Sequence, residues 1–244
     1  MLLQDLIGAA VLVAYYLVFL FLVPSLLKGL LRVPGELVRK IQHIAYCLSV
    51  FVLLEMFSAW YQAIAAIFLL VLVAYPALWL MEKRAWYGRA LTDRAAKGGE
   101  LRKQLLYAEI SFAVLIFVFW GLLGPGWRYV VAVAAMALGS GDAAAALVGK
   151  AFGRHRILHY MIEKGKTCEG TGAMVAFAGL GIFLTLLVYA RKLWYLSLMV
   201  SIIVAPVCGI VELFSRRGID TLTVPVSAAF LTLPLVYLFS LLGW

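Results

Sequence analysis

Eight long apolar stretches punctuate the chain, at about 6–27, 41–58, 60–81, 105–124, 128–149, 171–190, 194–213 and 224–242. Each has about the 20 residues that a helix needs to cross a bilayer. In hydrocarbon, a backbone must satisfy its own hydrogen bonds, so stretches of this length span as helices. The expected fold is therefore all-α, a polytopic transmembrane bundle of about eight spans, with seven as the nearest alternative. Spans and short connections use up the 244 residues, which leaves room for one integral membrane domain, 1–244. Composition agrees: 65% of residues are hydrophobic, 14% are charged and the mean hydropathy is +1.01, outside the range of soluble domains.

The net charge of +9 does not point to nucleic acid, because the basic residues lie in the gaps between apolar runs. They read as topology signals and as binders of anionic lipid or phosphate. Lys28, Arg32, Arg39 and Lys40, seven residues from Lys83 to Lys103, the group Lys150, Arg154, Arg156, Lys164 and Lys166, and Arg216 with Arg217 all fall on one side. Arg128, Arg191 and Lys192 fall on the other. Positive charge is retained on the cytoplasmic side, so both termini are expected outside and the long connections 82–104 and 150–170 inside. Segment 28–40 is expected to be a short interfacial helix. Cys47, Cys168 and Cys208 are widely spaced and form no CxxC pair, so they read as free thiols rather than a disulfide framework or zinc site. The first apolar run lacks a basic leader and exceeds a signal-peptide core, so it is expected to remain as the first helix.

Chemistry is sought where polar residues enter the apolar frame, because an intramembrane acid costs roughly 2.5–3.5 kcal/mol and needs a reason to be there. Four acids qualify: Glu55 toward the outer end, and Glu109, Asp142 and Glu212 in the inner halves or at the ends of their helices. Asp142 follows Gly141 in a run of small residues that continues to Gly149 and Gly153. Such a run admits either a phosphate or cation close to the backbone or another helix. Lys164, Lys166, Thr167, Glu169 and Gly170 offer cations, a hydroxyl and bare N–H groups at the entry to the sixth span. The frame of a P-loop fails there, because Tyr160 stands where its first glycine belongs. Glu212, Arg216, Arg217 and Asp220 gather at the last connection, while Arg39 and His43 share a helix face at i, i+4. His155 and His159 have ligand spacing without an intervening glutamate, which argues against zinc.

Taken in order, four motifs resemble those of the CTP-dependent polyprenol kinase family, which includes dolichol kinase, phytol kinase and CTP-dependent diacylglycerol kinase. They are Arg39-Lys40 with His43; Gly141, Asp142, Ala145, Gly149 and Gly153; Lys166, Thr167, Glu169 and Gly170; and Asp220, Leu222, Thr223, Val224 and Pro225. Two departures stand out: Gly165 precedes Lys166 where the family has a second lysine, and Thr221 replaces an asparagine. The resemblance implies a lipid kinase that moves the γ-phosphoryl group of CTP, with Mg²⁺, to the hydroxyl of a membrane isoprenoid alcohol such as phytol, geranylgeraniol or dolichol. It implies catalytic roles for Asp142, Asp220 and His43, and metal binding by Asp142, Glu212 and Asp220. Nucleotide or phosphate would be held by Arg39, Lys40, Gly141, Gly149, Gly153, Lys164, Lys166, Thr167, Glu169 and Gly170. The expected partners are CTP, the lipid alcohol and the bilayer.

The competing readings are a diacylglycerol kinase, a cytidylyltransferase making a CDP-lipid, and a transporter. The late His-Gly-Gly-x-x-Asp-Arg signature of phosphatidate cytidylyltransferases is absent. A transporter is disfavoured because the polar residues crowd one edge rather than the midplane and no repeat is visible.

Overall fold

The structure is a computed structural model that describes residues 2–82, 99–215 and 218–241. Eight helices among these residues are long and apolar enough to cross a membrane: α1 Leu3–Gly29, α2 Gly35–Met56, α3 Trp60–Glu82, α4 Arg102–Leu122, α5 Pro125–Phe152, α6 Cys168–Tyr189, α7 Trp194–Phe214 and α8 Asp220–Leu241. The fold is thus the all-α bundle that the apolar pattern demands. Most of the 82–104 connection and the Arg216–Arg217 pair lie outside the described residues.

Two expectations change. No separate helix occupies 28–40: α1 runs on to Gly29 and α2 already begins at Gly35, so Glu36, Arg39 and Lys40 form the first turns of a spanning helix. Pro34 precedes that start with a non-helical backbone, which separates the two helices. Asp220, expected in a connection, is the first residue of α8.

Helix α5 is the most buried of the eight and forms the centre of the bundle. Small residues make this possible, since Gly139 packs against Cys47 on α2 while Gly141 faces Met174 and Ala178 on α6. Helices α2 and α5 run antiparallel and are tied at both ends. Glu36 and Lys150 pair at 2.9 Å at one end, and Glu55 with Arg128 at 3.0 Å at the other, where Tyr189 also donates to Glu55 at 2.5 Å. At its edge, α4 is clamped to α3 by Arg102 and Glu82 (2.8–2.9 Å).

Proline is accommodated rather than avoided. Pro24 in α1 cannot donate to the carbonyl of Leu20, and the helix widens over Leu17–Leu22 before it. The Gln42 side chain on α2 donates to that freed carbonyl at 2.8 Å. One side chain thereby satisfies a backbone defect and joins two spans.

The α2–α5 contact generates a test. A side chain at Gly139 would start about 2.7 Å from the Cys47 Cβ, whereas Gly126 faces open space. Gly139→Val should destabilise the protein by about 1–3 kcal/mol and Gly126→Ala by far less, as read by thermal unfolding in detergent.

Candidate active site

At the end of the bundle where α2, α6 and α8 begin and α5 and α7 finish, two lysine–carboxylate pairs meet. Lys40, on the second turn of α2, is 3% exposed and donates to Asp142 Oδ2 at 2.6 Å. His43 Nε2 lies 3.2 Å from the same oxygen without a hydrogen bond of normal geometry. Because Lys40 and His43 are three residues apart, one turn of α2 presents both to α5. Asp142 is ten residues from the end of α5, about 15 Å along the helix, in the half of its span that the sequence led one to expect.

The second pair joins the 153–167 loop to α7. Lys166 Nζ donates to Glu212 Oε1 at 2.7 Å and also to the Glu212 carbonyl, which at this helix end accepts from the Ser215 N–H at 3.2 Å as well. Asp220 opens α8 and accepts from the Thr221 N–H at 2.9 Å. It is close enough to Asp142, Lys166, Glu212 and Lys40 for each to act on its charge. Three acids and two lysines from α2, α5, the loop, α7 and α8 thus form one array. No pair of them is adjacent in sequence.

The loop that carries Lys166 is built by its own backbone and by Glu169. Ile157 N–H donates to the Lys166 carbonyl and Cys168 N–H to the His155 carbonyl, both at 3.0 Å, so the two arms run antiparallel for a few residues. Glu169 accepts from the His155 backbone N–H at 3.2 Å and lies 2.7 Å from its Nδ1. Thr167 caps α6, its hydroxyl accepting from the Gly170 N–H at 3.1 Å. Gly165 supplies the left-handed turn before Lys166 with φ +105°.

The glycines have a specific structural task. Gly149 and Gly170 meet where α5 and α6 cross, and Thr167 fits against Gly149 and Gly153. Gly141, Gly149 and Gly153 therefore seat α6 against α5 and so place Lys166 and Thr167. Of the two readings that the small-residue run allowed, helix packing is the one realised by these contacts. Lys164 is exposed before Gly165 and makes no ion pair among the described residues. Arg39 is held by Glu36 Oε1 at 2.6 Å, and Glu36 in turn by Lys150. Glu36 and Lys150 were not among the expected site residues. The i, i+3 spacing of Glu36 and Arg39 was the local signal for the first, and nothing in the sequence joins Lys150 to it.

Among the described residues, no three of His, Cys, Asp and Glu are gathered into a ready-made ion cage. That arrangement still suits a hard divalent ion, because Mg²⁺ is commonly held by one or two carboxylates with substrate phosphates and water completing the shell. Asp142 and Asp220, with Glu212 nearby, supply such oxygens.

Chemically, the array combines fixed cations able to hold phosphate oxygens with acids able to hold a cation or a proton. The chain is 32% identical to a phytol kinase from Synechocystis sp. over 226 residues, which cover 89% of this chain and 87% of that protein. No family model and no solved structure matches it.

The first pair should be thermodynamically coupled. Lys40→Met alone strands the Asp142 carboxylate in a largely buried position and should cost about 3 kcal/mol, whereas Lys40→Met combined with Asp142→Leu should recover most of that loss. Thermal unfolding in detergent of wild type, Lys40→Met, Asp142→Leu and the double variant measures the difference.

Proposed function

This chain belongs to the polyprenol and phytol kinase family, and we propose that it transfers the γ-phosphoryl group of CTP to the hydroxyl of a membrane isoprenoid alcohol, releasing CDP and a lipid phosphate. The observation that carries this reading is the convergence of Lys40–Asp142 and Lys166–Glu212 on Asp220. Phosphoryl transfer asks a protein chiefly for positioning and for charge stabilisation, and this array offers both.

In the proposed site, Lys166 and Lys40 hold phosphate oxygens, and Arg39 and His43 lie beside the transferred group. Thr167 and Gly170 fix the start of α6, and Glu169 holds the loop that presents Lys166. Asp142 and Asp220 would hold Mg²⁺, which when bound would neutralise charge on the phosphates. The acid–lysine pairs have a further use: each carboxylate keeps its lysine in place before nucleotide arrives, so little reorganisation is needed on binding. Positive charge concentrated in the connections of this end supports a cytoplasmic site, with both termini outside. CTP enters from the water there, and the alcohol enters sideways from the inner leaflet.

Purified protein supplied with γ-labelled CTP should label phytol or geranylgeraniol, while α-labelled CTP should leave the lipid unlabelled. The reverse pattern would make it a cytidylyltransferase. Asp142→Asn should lower kcat by at least about a hundredfold, the scale on which lost charge stabilisation of a transition state is felt. An Asp142→Asn protein with normal turnover would overturn the assignment.

A further inference from the structure

Inside the bundle, two of the buried side chains that make no hydrogen bond of normal geometry among the described residues lie side by side, outside the lysine–carboxylate array. Glu109 on α4 is 2% exposed, and neither of its carboxyl oxygens is bonded. The Tyr46 hydroxyl on α2 is also buried and makes no hydrogen bond of normal geometry, and it lies beside Glu109, close enough for the two to act on each other. An unmet buried polar group costs about 1–3 kcal/mol, so two of them facing each other need a reason. The walls around them are aromatic: Tyr16 of α1 stacks on Tyr46 with ring centroids 6.2 Å apart, and Phe112 lies 5.8 Å away. Tyr16 is itself satisfied by Ser49, at 3.0 Å.

Their position matters as much as their lack of partners. Arg39, His43 and Tyr46 fall at i, i+4 and i+7 on α2 and share one face. Each carries a buried polar atom that makes no hydrogen bond of normal geometry: Arg39 Nε, His43 Nε2 and Tyr46 Oη. This column runs about 10 Å along the helix, passes Asp142 at His43 and ends at Glu109. Tyr46 is one turn further into the membrane than His43.

We propose that Tyr46 and Glu109 form the subsite that binds the hydroxyl of the acceptor alcohol, an assignment that rests on the kinase reading and deepens it. One alcohol hydroxyl carries a donor and accepting lone pairs. It can donate to a Glu109 oxygen and accept from the Tyr46 hydroxyl, meeting both groups at once. The aromatic walls then take the first carbons of the chain, and the oxygen is left one helical turn from the group that His43 and Asp142 flank. A hydrocarbon satisfies neither group, and an ether satisfies only the tyrosine. Selection for an alcohol follows from the cost of leaving these atoms unpaired.

The test uses full-length protein in nanodiscs with phytol and its methyl ether as probes. Two readouts are taken: ligand-induced thermal stabilisation without nucleotide, and the KM values for phytol and CTP in the kinase assay. Wild-type protein should bind phytol about tenfold more tightly than the ether, the worth of roughly one hydrogen bond. Glu109→Leu should bring the two ligands within about twofold, because only the alcohol can donate to Glu109, whereas Tyr46→Phe should weaken binding of both ligands about tenfold and keep the preference. Both should raise the KM for phytol about tenfold and leave the KM for CTP unchanged. Tyr129→Phe removes another buried, unbonded hydroxyl at the opposite end of the bundle and should change neither value. The proposal is overturned if wild-type protein does not discriminate, if folded Glu109→Leu protein keeps the full preference for the alcohol, or if folded Tyr46→Phe protein binds phytol as tightly as wild type. It is also overturned if the Tyr129 control loses that preference equally. Should Glu109→Leu not fold, Tyr46→Phe decides alone through its affinity and KM for phytol, since it removes one oxygen that both probes use. Selective binding by wild-type protein without phosphate transfer would support the subsite while refuting the kinase reading.

Discussion

A lysine and an aspartate 2.6 Å apart between two membrane helices set the terms for the rest of this molecule. Neither charge is tolerable alone in such surroundings, and together they are tolerable only if the helices approach closely and in fixed register. Gly139 against Cys47 supplies the approach. Glu36–Lys150 and Glu55–Arg128 supply the register, one pair at each end of α2 and α5. The ion pair is therefore a consequence of packing and also a constraint on it.

The second pair is positioned by a different route. Lys166 lies on a loop, where a side chain would ordinarily be poorly fixed. Here the loop is fastened by Glu169 to His155 and by a short run of backbone bonds, and it leads directly into the capped start of α6. Glycines at the α5–α6 crossing bring that start against the end of α5. The small-residue run thus contributes to the site at one remove, by placing the groups that carry charge. Asp220 completes the arrangement because α8 begins with it, a position held by the Gly218 turn and by Ser215 and Thr223 hydroxyls 2.7 Å apart.

Much of this was legible in the chain. Eight apolar runs specify eight spans, because hydrocarbon leaves the backbone no alternative to the helix. The motif residues Lys40, His43, Asp142, Lys166, Glu212 and Asp220 were also recognisable as candidates, since charge and glycine stand out against so apolar a background. The partner choices were not. Lys40 and Asp142 are 102 residues apart, and Lys166 and Glu212 are 46 apart, distances over which spacing carries no information about contact.

What the sequence determined by itself was the material and the order: a membrane bundle with its basic connections on one side and polar motifs placed at particular helix ends. The tertiary structure decided which acid holds which cation, and that the glycines serve a helix crossing. It also decided that the polar column on α2 ends against Glu109, an acid that the sequence marked as needing a reason but gave no partner. The physical reason is that hydropathy and helix period act locally, whereas the satisfaction of a buried charge depends on whichever helix packs against it.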